Sequence, residues 1–169
     1  VCLKVHAMRV TLFVQCLVDG LYPEVGEAMV ALFNRLGISV RVPRNQTCCG
    51  QPAFNAGHRK AAGRAARRFI QIFEDAEVIV CPSGSCVAMV RHHYPELFAN
   101  DEKWLDRAAG VGRKTFELSQ YLVDVLGIDD VGACYPGKVT YHDSCHLLRG
   151  LGVADQPRRL IAGNRARLG

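Results

Sequence analysis

Two cysteines stand side by side at the start of the segment Cys48-Cys49-Gly50-Gln51-Pro52. Adjacent cysteines rarely form a disulfide with each other, because the short link between them strains the disulfide geometry. Their two thiolates can instead point at one metal centre, from a turn that the following glycine and proline make rigid. Such a centre needs further ligands, which the fold must bring from other parts of the chain. The sequence therefore predicts a metal site built on this turn.

Cysteines on either side of this turn stand at comparable distances along the chain. Cys16 precedes Cys48 with 31 residues between them, and Cys86 follows Cys49 with 36 residues between them. Thiolate sulfur is the preferred ligand of iron–sulfur clusters, and four cysteines are the usual complement. Cys16, Cys48, Cys49 and Cys86 are therefore the candidate metal ligands and cofactor-binding residues. Their spacing by itself indicates only a metal site.

This spacing resembles the CCG cysteine-rich module of iron–sulfur oxidoreductases, in which a cysteine, a Cys-Cys-Gly and a Cys-x-x-Cys follow one another at similar intervals. Families with this module include the heterodisulfide reductases, the iron–sulfur subunit of glycolate oxidase, and lactate utilisation protein A. The segments that carry the resemblance are Phe13–Cys16, Cys48–Pro52, Pro82–Cys86 and His142–His146. Their residues are most similar to those of the lactate utilisation protein A family, and the resemblance covers nearly the whole chain from Met8. It implies a 4Fe–4S cluster.

The resemblance also implies a function. It suggests an oxidoreductase component, an electron-transfer subunit of an L-lactate-oxidising complex that works with sibling subunits. The iron–sulfur subunit of glycolate oxidase is the alternative within the resemblance. Two alternatives from other classes stay open: a zinc-binding structural protein, with Cys/His ligation at His142-Asp143-Ser144-Cys145-His146, and a thiol–disulfide reductase in which Cys48, Cys49 and Cys86 exchange electrons directly.

One position departs from the module, because Ser83 stands where the first cysteine of Cys-x-x-Cys belongs. A serine oxygen is a poor iron ligand beside a thiolate, so a set of four must use the four cysteines named above. We expect a weakened site that can lack its cluster, with a disulfide among the four as a substitute. Cys81 is an alternative ligand, although its place at the end of an apolar run favours a buried side chain. Cys134 belongs to no motif.

An internal repeat links the two ends of the chain. Val10-Thr11 precedes Cys16 by the same offset by which Val139-Thr140 precedes Cys145. The repeat predicts two domains, a first CCG module over residues 8–130 and the start of a second, truncated module over residues 131–169. Cys145 is then a cofactor-binding residue of the second module, and a free cysteine in this chain. We expect it to close a strand at the same sheet edge as Cys16.

The pattern of apolar residues predicts an α/β fold with a mainly parallel central sheet and helices on both faces. Strands are expected over 10–14, 38–42, 77–80 and 138–142, and helices over 23–36, 53–73, 97–108 and 116–126. Cys86 should open a further helix, whose first amides favour negative charge. Because open α/β sheets place their sites at the carboxyl ends of the strands, the cysteines should gather there.

Composition and charge narrow the function classes. The chain has 169 residues, of which 49% are hydrophobic, and a net charge of +5. Its basic stretches, 59–68 and 158–167, lack interleaved aromatic residues, so we expect no nucleic-acid partner. No apolar run is long enough for a membrane span, and no phosphate-binding glycine loop occurs. His58, His92 and His93 are expected to face solvent on helices. Eight cysteines without a secretion signal indicate a reduced, cytoplasmic protein, with Met8 as a natural start and residues 1–7, including Cys2, as an upstream extension.

Overall fold

The computed structural model describes residues 9–163 and the backbone of residues 167–168. The upstream extension and Met8 lie outside the described residues. The strands of the central sheet are β1 (Val10–Leu12), β2 (Val40–Arg41), β3 (Val78–Cys81) and β4 (Thr115–Glu117). The helices are α1 (Cys16–Leu21), α2 (Pro23–Arg35), α3 (Gln51–Asn55), α4 (Arg59–Phe73), α5 (Gly84–Ala88), α6 (Tyr94–Leu97), α7 (Glu102–Arg113), α8 (Leu118–Gln120) and α9 (Asp155–Gly163). Three π-helical segments follow helices or loops at Met89–His93, Tyr121–Val125 and His146–Gly150.

The central sheet is entirely parallel and has the strand order β2-β1-β3-β4. β1 lies between β2 and β3, with Val10 in register with both Val40 and Val78. β4 pairs with β3 at the other edge, where Thr115 is in register with Ile79. The predicted α/β class with a parallel sheet is confirmed.

Side chains of successive strand residues point to opposite faces of the sheet, and each face carries its own apolar core. Phe13 and Ile79 pack with α4 on one face, in a cluster that includes Phe69 and Phe73. Val10, Leu12, Val78 and Val80 belong to the second cluster, which includes Met29 and Phe33 of α2. This alternation follows from the two-residue period of a strand. Helices therefore cover both faces of the sheet.

Three predicted helices differ from the observed ones. The helix expected over 53–73 is two helices, α3 and α4, because Gly57 between them has a φ of +81°, which a continuous helix does not allow. The helix expected over 97–108 begins instead at Glu102, where the Asp101 side chain accepts a hydrogen bond from the Trp104 amide at 3.4 Å. The helix expected over 116–126 is preceded by strand β4, which takes its first two residues.

The strand expected over 138–142 lies outside the central sheet. The observed strand β5 is shorter, Lys138–Val139, and pairs with β6 (Arg167–Leu168) in a separate parallel ribbon. Cys145 follows β5 by six residues, directly before the π-helical segment His146–Gly150. Like Cys16 at the start of α1, it stands where a helical segment begins after a loop. The expectation that the two cysteines share one edge of one sheet is wrong, because the two strands that precede them belong to different sheets.

Candidate metal centre

The loops that follow β1, β2 and β3 meet at the carboxyl edge of the central sheet. The chain leaves β1 toward β2 on one side and later returns to β3 on the other side, so β1 and β3 flank the point at which the strand order reverses. Crevices at such switch points are where open α/β sheets bind their ligands. Cys16 lies after β1, the Cys48-Cys49 pair after β2, and Cys81 and Cys86 at the end of β3 and in α5.

Cys16 is the first residue of α1. Gln15 caps this helix, because its side chain accepts a hydrogen bond from the Leu17 amide at 2.8 Å. The loop before Cys48 is fixed to the end of β1 by Gln46. Its Oε1 accepts from the Val14 amide at 2.9 Å, and its Nε2 donates to the Leu12 carbonyl at 3.1 Å. Gln46 therefore holds the loops of Cys16 and Cys48 side by side.

The turn after Cys48 and Cys49 depends on glycine. Gly50 has a φ of +87°, and a Cβ atom placed there would lie 3.1 Å from the Cβ of Ala65 and 3.2 Å from the carbonyl oxygen of Ala62. The Gly50 amide donates to the Cys48 sulfur at 3.4 Å. The hydroxyl of the fully buried Tyr94 donates to the Cys49 carbonyl at 2.9 Å. The turn is thus pressed against α4 and anchored from below.

Cys86 is the third residue of α5 and does not open it, since Gly84 is the first residue and Ser83 the N-cap. Ser83 is half-buried beside Ser85, with 3.2 Å between the two hydroxyl oxygens. Cys81 is the last residue of β3 and is completely buried. Its side chain points to the same sheet face as Phe13 and Ile79, and its thiol hydrogen-bonds to Cys86. The preference for a buried Cys81 therefore agrees with its position, but its sulfur also adjoins the candidate ligands.

The structure brings the four candidate cysteines together as two contacting pairs. The sulfurs of Cys16 and Cys48 are 3.6 Å apart, and those of Cys49 and Cys86 are 3.3 Å apart. Cys16 is exposed, whereas Cys49 and Cys86 are buried. All seven cysteines in the described part of the chain are free thiols, so the disulfide that we considered as a substitute for metal is not formed.

The sulfurs share protons and repel one another as thiolates. Hydrogen bonds from Cys49 and then Cys81, together with the hydroxyls of Ser83 and Ser85, outweigh burial and lower the pKa of Cys86 to about 3. The same contact with Cys86, together with burial, raises the pKa of Cys49. Burial and the contact with Cys48 raise the pKa of Cys16, and the charge of Cys86 adds to this rise. Cys86 is thus the sulfur that this arrangement stabilises as a thiolate.

The donor set fits an iron–sulfur cluster in its chemistry, since four thiols converge and thiolates are the ligands that such clusters use. In the described residues no group of three or more His, Cys, Asp or Glu side chains is arranged to hold a metal ion as it stands. The thiols instead contact one another directly in pairs. The role of the four cysteines as ligands therefore stays a prediction.

The His142–His146 segment lies next to this centre. The ring Nε2 of His146 is 3.4 Å from Nε2 of Gln51, which also donates to the Ser85 carbonyl at 3.3 Å. Leu147 packs so closely on Gly84 that an added Cβ there would lie 2.8 Å from the Leu147 Cβ. The exposed Cys145 thiol is 3.6 Å from the ring Nδ1 of its neighbour His146.

The zinc alternative required the polar residues of this segment to converge. Asp143 instead forms a two-pronged ion pair with Arg158, with Nη1 to Oδ1 at 2.8 Å and Nη2 to Oδ2 at 2.5 Å. His142 is exposed. A carboxylate committed to a guanidinium is a poor metal ligand, so the segment does not assemble a tetrahedral Cys/His site.

Sequence reasoning missed the residues that support the cysteines. Tyr94 and Gln46 carry no motif signal, because each acts through hydrogen bonds to backbone groups that only the fold brings near. Gln51 belongs to the Cys-Cys-Gly segment, and its position after the glycine was the one signal that could have found it. Among the predicted solvent-facing histidines, His92 is exposed but lies 3.0 Å from the Gly150 carbonyl, and His93 stacks on Phe54. Cys134 is exposed, in the loop where we expected it.

A fold with a parallel sheet and a cysteine cluster at its switch point defines a class of domain, and comparison with known families gives the same class. Residues 10–91 match the family model for the CCG cysteine-rich domain, so the chain contains a domain of that family. The chain is also 52% identical over 155 residues to lactate utilization protein A 1 of Bacillus cereus (strain AH820). It is 51% identical over 154 residues to lactate utilization protein A of Geobacillus kaustophilus (strain HTA426). The resemblance inferred from the sequence is confirmed.

These alignments cover most of this chain but less of the relatives. The two alignments span 92% and 91% of the chain, and each covers 64% of the relative's length. The chain thus spans a little less than two thirds of the length of the curated relatives it matches. None of the helices in residues 9–163 combines the length and the apolar character that crossing a membrane requires.

Proposed function

We propose that this protein is an iron–sulfur electron-transfer subunit of an L-lactate-oxidising complex. The observation that carries the proposal is the meeting of Cys16, Cys48, Cys49 and Cys86 from three separate loops at the switch point of the sheet. The similarity to proteins named for lactate utilisation supplies the substrate. The name of these relatives also supports a system of several components, with sibling subunits as partners in the cytoplasm.

In this proposal the four cysteines hold a 4Fe–4S cluster, which supplies one-electron transfer when bound. The protein's own residues position the sulfurs. Gln46 sets the distance between the loops of Cys16 and Cys48, and Tyr94 and Gly50 fix the turn of Cys49. The hydrogen bonds that lower the pKa of Cys86 keep one sulfur in the thiolate form that binds metal. Ser83 leaves the site with one thiolate fewer than the module has. A second CCG module beginning near residue 131 stays part of the proposal.

The test is anaerobic reconstitution of the purified protein with iron and sulfide, followed by metal and sulfide analysis and EPR spectroscopy. We expect iron and sulfide to be retained and a cluster signal to appear on reduction. Cys16→Ser and Cys86→Ser should each lose most of the iron. Cys134→Ser, which removes an exposed thiol outside every motif, is the matched control and should keep it. Retention of zinc without iron would contradict the proposal.

The pathway needs its own test. Disruption of the gene should slow growth on L-lactate and leave growth on glucose unchanged. Slower growth on glycolate alone would favour the glycolate oxidase alternative.

One observation favours a second candidate, a thiol–disulfide reductase. The sulfurs of Cys49 and Cys86 are in contact at 3.3 Å, and Cys86 is held as a thiolate beside a protonated Cys49. A thiolate with a neighbouring thiol is the arrangement that attacks a disulfide and then resolves the mixed disulfide. Both sulfurs are buried, however, which denies a protein disulfide access to them. Reduction of a small disulfide by the metal-free protein, lost in Cys86→Ser, would support this second function.

A further inference from the structure

The candidate centre approaches the surface on one side only. Of its four cysteines, Cys49 and Cys86 are 2% and 6% exposed, Cys48 is half-buried, and Cys16 is exposed at the start of α1. If the proposed function is right, electrons enter or leave by the shortest route to a partner, and that route passes Cys16. The surface around α1 is therefore where a redox partner would have to bind.

This surface is unusually apolar. Directly after Cys16 come four large exposed hydrophobic residues: Leu17 (57% exposed), Leu21 (65%), Tyr22 (55%) and Val25 (37%). They are half of the large hydrophobic residues that are exposed in the described part of the chain. Leu17 and Leu21 are four residues apart in α1 and so lie on one helix face. A cluster of exposed apolar side chains on a folded protein marks an interaction site.

The apolar surface continues into a shallow hollow on α2. The hollow has a volume of about 320 Å³ and is lined by Val25, Ala28, Met29, Leu32 and Leu118, with Glu24 at its margin. Val25 belongs to both regions. We call Leu17, Leu21, Tyr22, Val25 and this hollow the α1–α2 surface.

The rim of the α1–α2 surface is acidic, although the protein as a whole is basic. The stretch from Cys16 to Asn34 contains no lysine or arginine in a chain with 21 of them. Its three carboxylates, Asp19, Glu24 and Glu27, are exposed, and none forms an ion pair with another described residue. The opposite face of the sheet differs, since α4 there carries a row of exposed cations: Arg59, Lys60, Arg64, Arg67 and Arg68.

We propose that the α1–α2 surface docks a protein partner that presents an apolar patch ringed by lysine and arginine, namely a sibling subunit that exchanges electrons with the cysteine centre. This inference rests on the proposed function. The apolar residues supply the contact area, and the unpaired carboxylates select a basic rim. Nucleic acid and anionic lipid are disfavoured because both would face these carboxylates with phosphates. A symmetric pair of copies is disfavoured too, because it would bring the same acidic rims together.

The experiment titrates each sibling subunit, purified separately, against the full-length protein and measures the dissociation constant. Leu21→Ser combined with Tyr22→Ser removes two exposed apolar side chains, and serine at position 22 can still cap α2. We expect at least a roughly tenfold weaker dissociation constant, as for central residues of an interface. The matched control is Val125→Ser combined with Tyr135→Ser, which removes two exposed apolar side chains outside the α1–α2 surface. It should bind as the unmodified protein does.

A charge arm tests the rim. Glu24→Lys combined with Glu27→Lys should weaken binding at low salt and flatten its salt dependence. The proposal is overturned if no sibling subunit binds, if the control weakens binding equally, or if the serine variant only abolishes self-association seen by light scattering. Iron content and the EPR signal are measured on every variant and should not change. A failure of the proposed function would appear in those two readouts for the unmodified protein, whatever the binding data show.

Discussion

Gln46 shows how much of this centre depends on residues other than cysteine. Its side-chain amide takes the place of the strand pairing that ends at Arg41, by bonding the Val14 amide and the Leu12 carbonyl. It also donates to the Pro43 carbonyl of its own loop at 3.0 Å. One side chain therefore ties the loop that carries Cys48 to the end of the strand that leads to Cys16.

Gln46→Leu keeps the size of the side chain and removes all three hydrogen bonds. Leaving backbone groups unpaired costs about 1–3 kcal/mol each when they are buried. We expect the loops to separate, so that mild oxidation of the metal-free protein yields much less Cys16–Cys48 disulfide, as quantified by peptide mapping. Gln71→Leu, at an exposed position of α4, is the control and should crosslink normally. Equal crosslinking in both variants would contradict the role of Gln46.

Glu117 is a buried carboxyl group at the carboxyl end of β4. Burial raises its pKa, although its Oε2 accepts hydrogen bonds from the Ser119 amide at 2.8 Å and the Gln120 amide at 3.2 Å. Because the folded pKa lies above the unfolded one, the folded state binds the proton more tightly. The resulting stability is present below the unfolded pKa and is lost as the pH rises through the folded pKa.

Glu117→Gln should remove this loss. We expect the free energy of unfolding of the unmodified protein, from urea titrations at a series of pH values, to fall as the pH rises from the ordinary glutamate range. In the Gln variant this part of the fall should disappear, because the amide does not ionise. Glu102→Gln, at an exposed position of α7, is the control and should keep the slope of the unmodified protein. A Gln variant with an unchanged pH profile would show that Glu117 is not the titrating group.

Among the structural elements, the Cys-Cys-Gly turn and α4 depend on each other through Gly50. Gly50→Ala places a methyl group in a left-handed conformation, at about 1–2 kcal/mol, and against Ala62 and Ala65, at about 1–3 kcal/mol for overpacking. Gly57→Ala is a matched control, because Gly57 has a φ of +81° but no atom within 4 Å of the added Cβ. Urea unfolding should show Gly50→Ala to be the more destabilising variant by about the overpacking term. Equal losses would mean that the turn yields without resistance.

The elements differ in how far the sequence predicted them, for physical reasons. Val10–Leu12, Val78–Cys81 and Pro23–Arg35 were predicted closely, since their apolar period and the proline at the first helical turn are local signals. Thr115–Glu117 was missed because three residues are too few to show a strand period beside a helical pattern. Lys138–Val139 was found, but its partner strand follows β5 by nearly 30 residues in the chain, and sequence period says nothing about partners.

For the whole molecule, the site's location was predictable from the sequence and its internal arrangement was not. The rule that ligands bind at the carboxyl ends of parallel strands is enough to place Cys16, Cys48, Cys49 and Cys86 together. The pairing of Cys16 with Cys48 and of Cys49 with Cys86 depends on Gln46, Tyr94 and Gly50, which act only once the sheet has formed. The inclusion of the Cys81 thiol in the same cluster depends on the register of β3, which spacing does not reveal.

A ligand held by three loops from different parts of the chain should stabilise the whole molecule. A metal centre bound only in the folded state adds about 2.7 kcal/mol when its free concentration is a hundred times its dissociation constant. For a chain of this size that corresponds to a rise in Tm of roughly 5–11 °C. We expect calorimetry under anaerobic conditions to show such a rise on reconstitution, reversed by an iron chelator. Cys134→Ser should show the full rise and Cys86→Ser little of it. Stoichiometric iron with an unchanged Tm would mean that the metal does not join the three loops, and the centre would then have to lie elsewhere.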